Sequence, residues 1–258
     1  AASSLSILVS GMEEGRAKKE SAADEVVSTS DYGIMEKLAR FDRPQDAYAE
    51  VLKELLRDRG VKRLGVFGDF PVRIYLALAA DFRVSVRESP VSRWRETKSP
   101  EEIEAIRSSQ RACEGAMNVA IKMISNSRLA GDYLALGGEP LTSEKVKSAI
   151  EVFLLERGCE AQDTIVAGGR NAADPHSCGS GPLPANSPIV IDIFPRSKRS
   201  RYYADMTRTV LRGEAEEEVV EIYQAVLAAQ DAGIAAVRAG ATGREVHLKG
   251  CEVLERRG

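Results

Sequence analysis

One acidic residue inside an apolar run constrains the fold around it. Asp192 lies in the segment Ile189 to Phe194, which is rich in β-branched residues and predicts a buried strand. A second predicted strand carries Asp205, and the basic stretch Pro195 to Arg201 between the two predicts a hairpin turn. A carboxylate buried on a strand costs several kcal/mol unless it is compensated. The pattern therefore favours a bound cation near these two residues.

Strand periodicity indicates what surrounds the two carboxylates. Because side chains alternate between faces, Asp205, Thr207 and Thr209 share one face, and Arg208 lies on the other. The hydroxyls of Thr207 and Thr209 are thus predicted to lie beside the Asp205 carboxylate as hydrogen-bond donors. Two alternatives remain open at this point, namely an ion pair of one aspartate with Arg208 and a carboxylate that stays protonated.

The charge balance excludes some classes of partner. The 258 residues contain 36 Lys and Arg against 39 Asp and Glu, a formal charge of -3, which favours neither nucleic acid nor an anionic membrane. The apolar stretches are shorter than the roughly 20 residues that span a bilayer, and no leader pattern stands at the start. We expect a soluble, cytoplasmic protein.

The cysteines and histidines are few. The four cysteines show no CxxC spacing and are expected to be reduced and structural. Cys178 lies two residues from His176, which raises the hypothesis of a nucleophile or a zinc ligand there, although such pairs usually come from distant parts of a chain. His176 lies in a loop rich in Gly, Pro and Ser and is the functional candidate, whereas His247 is predicted to be a helix-boundary residue without a catalytic role.

The first ninety residues alternate between predicted strands and helices, which indicates a small α/β domain. The predicted strands are Ser6 to Val9, Glu25 to Thr29, Arg63 to Phe67 and Arg83 to Val86, and the predicted helices are Asp31 to Phe41, Gln45 to Arg59 and Pro71 to Ala80. A domain boundary is predicted near Lys98, in a charged stretch.

The remainder begins with a strong helix signal. Ser99, Pro100 and Glu102 form a capping box with proline at the first helical position. Helices are predicted from there to about Ile124, over Ser143 to Arg157, over Glu214 to Arg238 and from Thr242, with strands at Thr164 to Ala167, Pro188 to Phe194 and Tyr203 to Leu211. The chain lacks an initial methionine and stops directly after a helix, so we expect a piece of a longer protein.

The order Pro175-His176, Ile191-Asp192 and Asp205-Met206-Thr207-Arg208-Thr209 resembles the first half of the pita-bread metallopeptidases. These include aminopeptidase P, prolidase (Xaa-Pro dipeptidase), methionine aminopeptidase and the related creatinase. The opening Lys98 to Glu104 is similar to the aminopeptidase P and prolidase branch. The resemblance implies a creatinase-like α/β amino-terminal domain over residues 1–97, followed by the first half of an α+β pita-bread catalytic domain over residues 98–258.

The resemblance also implies roles for three residues. Asp192 and Asp205 would be metal ligands of a dinuclear centre, with Asp205 bridging two divalent ions (manganese, cobalt or zinc), and His176 would stabilise the tetrahedral intermediate. The reaction implied is hydrolysis of a peptide bond, in a peptide or dipeptide substrate of Xaa-Pro type, by a bridging hydroxide. A homodimer is the assembly that the resemblance suggests.

This sequence departs from the family pattern in two respects. The interval between the aspartates is two residues longer than usual, an even insertion that preserves their faces if the turn absorbs it. The family's remaining ligands, a histidine and two glutamates, belong to the second half of the fold, so the 258-residue chain is expected to be inactive or to bind metal weakly. Two other functions remain open: a metal-free creatinase-like C–N hydrolase and a non-catalytic binding protein on the same scaffold.

Overall fold

The structure, a computed structural model, describes residues 4–257. The chain divides into two compact units, Ala1–Thr97 and Lys98–Gly258. None of the helices within the described range is long and apolar enough to cross a membrane.

The first unit contains two short parallel strand pairs, five α-helices and a short 3-10 helix (Thr29–Tyr32) among its described residues. Its elements are β1 (Ser6–Val9), α1 (Glu14–Glu20), β2 (Glu25–Ser28), α2 (Ile34–Arg40), α3 (Pro44–Asp58), β3 (Arg63–Phe67), α4 (Val72–Ala79), β4 (Arg83–Arg87) and α5 (Pro90–Glu96). Strand β1 pairs with β2 and β3 pairs with β4. Ala49, Ile74 and Leu78 form a small buried core, to which α3 and α4 both contribute.

The second unit holds the candidate site. Its elements are α6 (Pro100–Ser125), β5 (Arg128–Ala130), β6 (Tyr133–Leu136), β7 (Glu139–Pro140), α7 (Ser143–Leu155), β8 (Cys159–Glu160), β9 (Ile165–Gly168), β10 (Ile189–Ile193), β11 (Arg196–Ser197), β12 (Met206–Val210), α8 (Glu217–Ala236) and α9 (Gly243–Glu255). The main sheet is antiparallel in the order β12-β10-β9. Helices α6 and α7 cover one of its faces, and the isoleucines of β10 lie in the core between them.

The helix starts follow from local sequence. At α6 the Ser99 hydroxyl accepts a hydrogen bond from the Glu102 backbone N–H, and the Glu102 carboxylate accepts one from the Ser99 N–H, which confirms the predicted capping box. Thr242 and Glu245 cap α9 in the same way. The rigid position of α6 matters because this helix supports the strands that carry the two aspartates.

Candidate metal centre

Strand β10 presents Asp192 on the face of the sheet that the helices do not cover. Ile189, Ile191 and Ile193 are fully buried, whereas Val190 and Asp192 are half-buried. This is the alternation of a strand with one face packed on a core. Asp192 therefore points away from the core.

The cross-strand register brings Thr207 directly opposite Asp192. The Thr207 hydroxyl donates a hydrogen bond of 2.6 Å to Oδ1 of Asp192. The prediction paired this hydroxyl with Asp205, whereas the structure bonds it to Asp192 on the neighbouring strand. Asp205 comes two residues before Thr207 and directly precedes β12. Strand alternation, if it continues past the strand end, would put Asp205 on the same face as Asp192.

The expectation that both carboxylates are buried is wrong. Asp192 is only half-buried and Asp205 is exposed. The reason is that the apolar character of β10 comes from its helix-covered face, whereas Val190 and Asp192 on the opposite face stay partly accessible to solvent. Desolvation alone therefore does not demand a cation here, and a metal site must be argued from the arrangement of ligands.

The structure also weakens the alternative of a structural ion pair. Arg208 lies on the other face, as periodicity predicts, and its guanidinium donates to the Thr207 carbonyl at 2.7 Å. Within the described part of the chain no salt bridge joins Arg208 to Asp192 or Asp205. Neither aspartate is therefore neutralised by Arg208 in this part of the chain.

The connection between the aspartates is more ordered than a simple turn. Arg196 and Ser197 form β11, which pairs with β8, and the Arg196 guanidinium makes a salt bridge of 2.5 Å with Glu160. The Ala204 N–H donates to the Pro195 carbonyl at 2.9 Å, so the β10–β12 register continues past the strand ends. Arg201, with φ +64°, closes the tip. The connection between the aspartates is thus a hydrogen-bonded, paired segment and not a free loop.

Three polar contacts hold this hairpin on α6. The Tyr202 hydroxyl donates to Glu102 at 2.5 Å, and this contact is the chief cause that lowers the pKa of Glu102. The Ser109 hydroxyl donates to the Tyr202 carbonyl at 2.9 Å, and the Cys113 thiol donates to the Ile193 carbonyl at 3.2 Å. Burial, followed by the negative charges of Asp205 and Asp192, raises the pKa of Cys113 to about 12. Cys113 is thus a neutral support beneath the site.

His176 lies in the loop between β9 and β10 and is exposed. Its backbone N–H donates to the Asp174 side chain at 3.0 Å. The loop returns to β9, where the Val166 N–H donates to the Cys178 carbonyl at 3.2 Å. The structure gives no contact of the His176 ring with Asp192 or Asp205 in residues 4–257, so its catalytic role stays a prediction.

The described residues do not by themselves make up a metal site. No group of three or more His, Cys, Asp and Glu side chains in residues 4–257 is arranged to hold a metal ion. Two adjacent carboxylates suit hard or borderline divalent cations, which prefer oxygen ligands. The donor chemistry therefore fits the expected ions, while the number of ligands falls short.

Sequence reasoning missed one pair of ligand-type side chains. On α9, Sγ of Cys251 lies 3.4 Å from Nε2 of His247. The signal was the four-residue spacing, which places two side chains on one helix face. The sequence-based hypothesis instead considered Cys178 with His176, for which the structure shows no side-chain contact among the described residues.

Comparison with known proteins places this arrangement in a family. The model of metallopeptidase family M24 matches residues 104–258. An uncharacterized peptidase of Bacillus subtilis is 28% identical over 195 residues, which are 72% of this chain and 50% of that protein. A Xaa-Pro dipeptidase of Pyrococcus furiosus is 29% identical over 164 residues, 62% of this chain and 43% of that protein. The chain spans about half the length of these curated relatives.

Solved structures show the same fold. The Xaa-Pro dipeptidase from Bacillus anthracis superposes with a TM-score of 0.78 at 21% identity, covering 97% of this chain and 64% of that one. The prolidase from Pyrococcus furiosus gives a TM-score of 0.77 at 23% identity, covering 98% of this chain and 66% of that one. This likeness confirms the predicted pita-bread architecture. Since the family model matches more than half of its length, the chain belongs to metallopeptidase family M24.

Proposed function

We propose that Asp192 and Asp205 are ligands of a dinuclear metal centre and that the chain functions as part of a metal-dependent aminopeptidase or dipeptidase of Xaa-Pro type. The observation that carries the proposal is the hydrogen bond of 2.6 Å that Thr207, two residues after Asp205, donates to Asp192 on the paired strand. Membership of family M24 supports it, because this is a family of metallopeptidases. The relatives named Xaa-Pro dipeptidase supply the expected substrate class.

Each residue has a distinct part in this proposal. Asp192 would serve one ion and Asp205 would bridge two, with Thr207 fixing the orientation of the Asp192 carboxylate. Manganese, cobalt or zinc would suit this oxygen-rich set, and such ions polarise a peptide carbonyl and lower the pKa of a bound water. His176 would donate a hydrogen bond to the tetrahedral intermediate from its exposed loop, once the substrate lies between the loop and the sheet.

The 258-residue chain alone is proposed to be inactive. Two divalent ions require at least about four ligands each, and two carboxylates cannot meet that requirement. Within residues 4–257 no third ligand lies near the pair. The missing ligands would therefore have to come from outside these residues. The chain should therefore bind metal weakly and turn over no peptide.

A hydrolysis assay tests the function. The protein expressed from its complete coding sequence would be incubated with Xaa-Pro dipeptides, with and without a strong chelator. We expect cleavage that the chelator abolishes and that Mn²⁺ restores, with Asp192→Ala and Asp205→Ala both inactive. Activity that survives the chelator would favour a creatinase-like metal-free hydrolase. Tight metal-independent binding of peptide without cleavage would favour a binding protein.

A further inference from the structure

A pair of side chains on α9 has the composition of a metal site and lies apart from the aspartate pair in sequence and in chemistry. His247 and Cys251 are four residues apart, so they project from the same face of the helix. His247 is exposed and Cys251 is half-buried and not in a disulfide. An ion in solution can therefore reach both side chains.

The separation of the two donor atoms fits tetrahedral coordination. Zinc binds thiolate sulfur at about 2.3 Å and imidazole nitrogen at about 2.0–2.1 Å, so a tetrahedral angle puts the two donors about 3.6 Å apart. Sγ of Cys251 and Nε2 of His247 are 3.4 Å apart. The two side chains thus need almost no rearrangement to hold one ion between them.

We propose that His247 and Cys251 form a two-ligand half-site for a zinc-type cation. Thiolate and imidazole select zinc-like ions over the hard cations that prefer carboxylates. On binding, the Cys251 thiol releases one proton to solvent, its sulfur and the lone pair of His247 Nε2 coordinate the ion, and no electron is transferred. Water occupies the other two coordination positions, since no third ligand lies near within residues 4–257.

Cobalt(II) is the probe, because a thiolate ligand gives it a near-ultraviolet charge-transfer band that carboxylates do not give. The titration uses the Cys178→Ser chain under a non-thiol reductant, so that Cys251 is the accessible thiol while Cys113 and Cys159 remain buried. We expect a saturable band that Zn²⁺ displaces. Cys251→Ser should abolish the band, and His247→Ala should raise the half-saturation concentration roughly tenfold or more, because one of two protein ligands is lost.

A second measurement observes His247 directly and needs no substitution at His247 or Cys251. The chain has two histidines, so its imidazole NMR spectrum contains two sets of signals. Zn²⁺ should shift the His247 signals in the Cys178→Ser chain. Asp192→Ala should leave both readouts unchanged, which separates this site from the proposed peptidase centre.

Two results would overturn the half-site. One is the absence of a cobalt band, together with unshifted His247 signals, in the Cys178→Ser chain. The other is a band that persists with the same half-saturation concentration after Cys251→Ser. Loss of metal binding at the aspartates, by contrast, would affect only the proposed peptidase function.

Discussion

Cys113 shows how a single buried residue responds to the candidate site above it. The thiol is fully buried, and its pKa is raised to about 12 by burial and by the charges of Asp205 and Asp192. Thiolate is the reactive form, so we expect Cys113 to resist alkylation at pH 8 in the folded chain while exposed Cys178 reacts readily. Mass spectrometry after a short pulse of iodoacetamide checks this, and equal labelling of the two would contradict it.

The same raised pKa predicts a pH dependence of stability. The ordinary pKa of a cysteine thiol is 9.0, and that of Cys113 in the folded chain is about 12. Between these two pH values the folded chain retains the Cys113 proton, whereas the unfolded chain loses it. The contribution of this thiol to stability is therefore complete below about pH 9 and declines as the pH rises above it. Urea titrations at pH 8 and 10 measure the free energy of unfolding. Between these pH values it should fall less for Cys113→Ala than for the unaltered chain.

Thr207 is predicted to position the Asp192 carboxylate. Thr207→Val removes the 2.6 Å hydrogen bond and should weaken divalent metal binding about 10-fold or more, because partners of this kind typically contribute 10–100-fold. Thr207→Ser keeps the hydroxyl and should restore affinity. Thr209→Val, on the same face but without a bond to either aspartate among the described residues, is the matched control. If all three variants bind Mn²⁺ equally, Thr207 has no such role.

Alternation explains what could be predicted at the residue scale. A period of two placed Arg208 away from the aspartates, but it could not show that Thr207 bonds to Asp192 on the paired strand and not to Asp205. It could not fix burial, because burial depends on whether another element packs over that face. Asp205 is exposed for this reason, although its sequence surroundings are apolar.

At the scale of elements, strong local signals were reliable and weak ones were not. The capping boxes at Ser99 and Thr242 marked the starts of α6 and α9 correctly. Helices α1 and α5 and strands β5 to β7 were missed, since they are short and lack a clear apolar period. The last strand is shorter than predicted, and it begins at Met206 because the hairpin pairing before it is irregular.

The loop that carries His176 depends on one glycine. Gly179 has φ +72°, and a Cβ there would lie 2.0 Å from the carbonyl oxygen of Val166. Gly179→Ala should therefore destabilise the chain by well over the roughly 1–2 kcal/mol that positive φ alone costs an L-residue. Gly181→Ala, with φ +71° but open space around its Cβ, isolates that conformational cost. Chemical denaturation measures the free energy of unfolding of both variants. Equal losses of this free energy would show that the close contact with β9 is unimportant.

For the whole molecule, the main point is how the apolar core of the second unit is divided among its helices. The buried residues of α6, α7 and the main sheet form one cluster, to which α8 and α9 contribute no buried member in the described range. Helix α8 exposes large apolar side chains, including Ile222, Val226 and Ile234. Contiguous exposed apolar surface usually marks an interaction site. The sequence predicted this helix but could not show which of its faces would be covered.

The account as a whole requires that Asp192 and Asp205 bind metal together. Isothermal titration of the 258-residue chain with Mn²⁺ tests this most directly, with Asp192→Ala, Asp205→Ala and, as a control, the exposed Asp163→Ala. We predict weak binding that either of the first two substitutions abolishes and that the control retains. Mn²⁺ affinity that is the same in all four proteins would contradict the assignment of a metal centre to this face of the sheet.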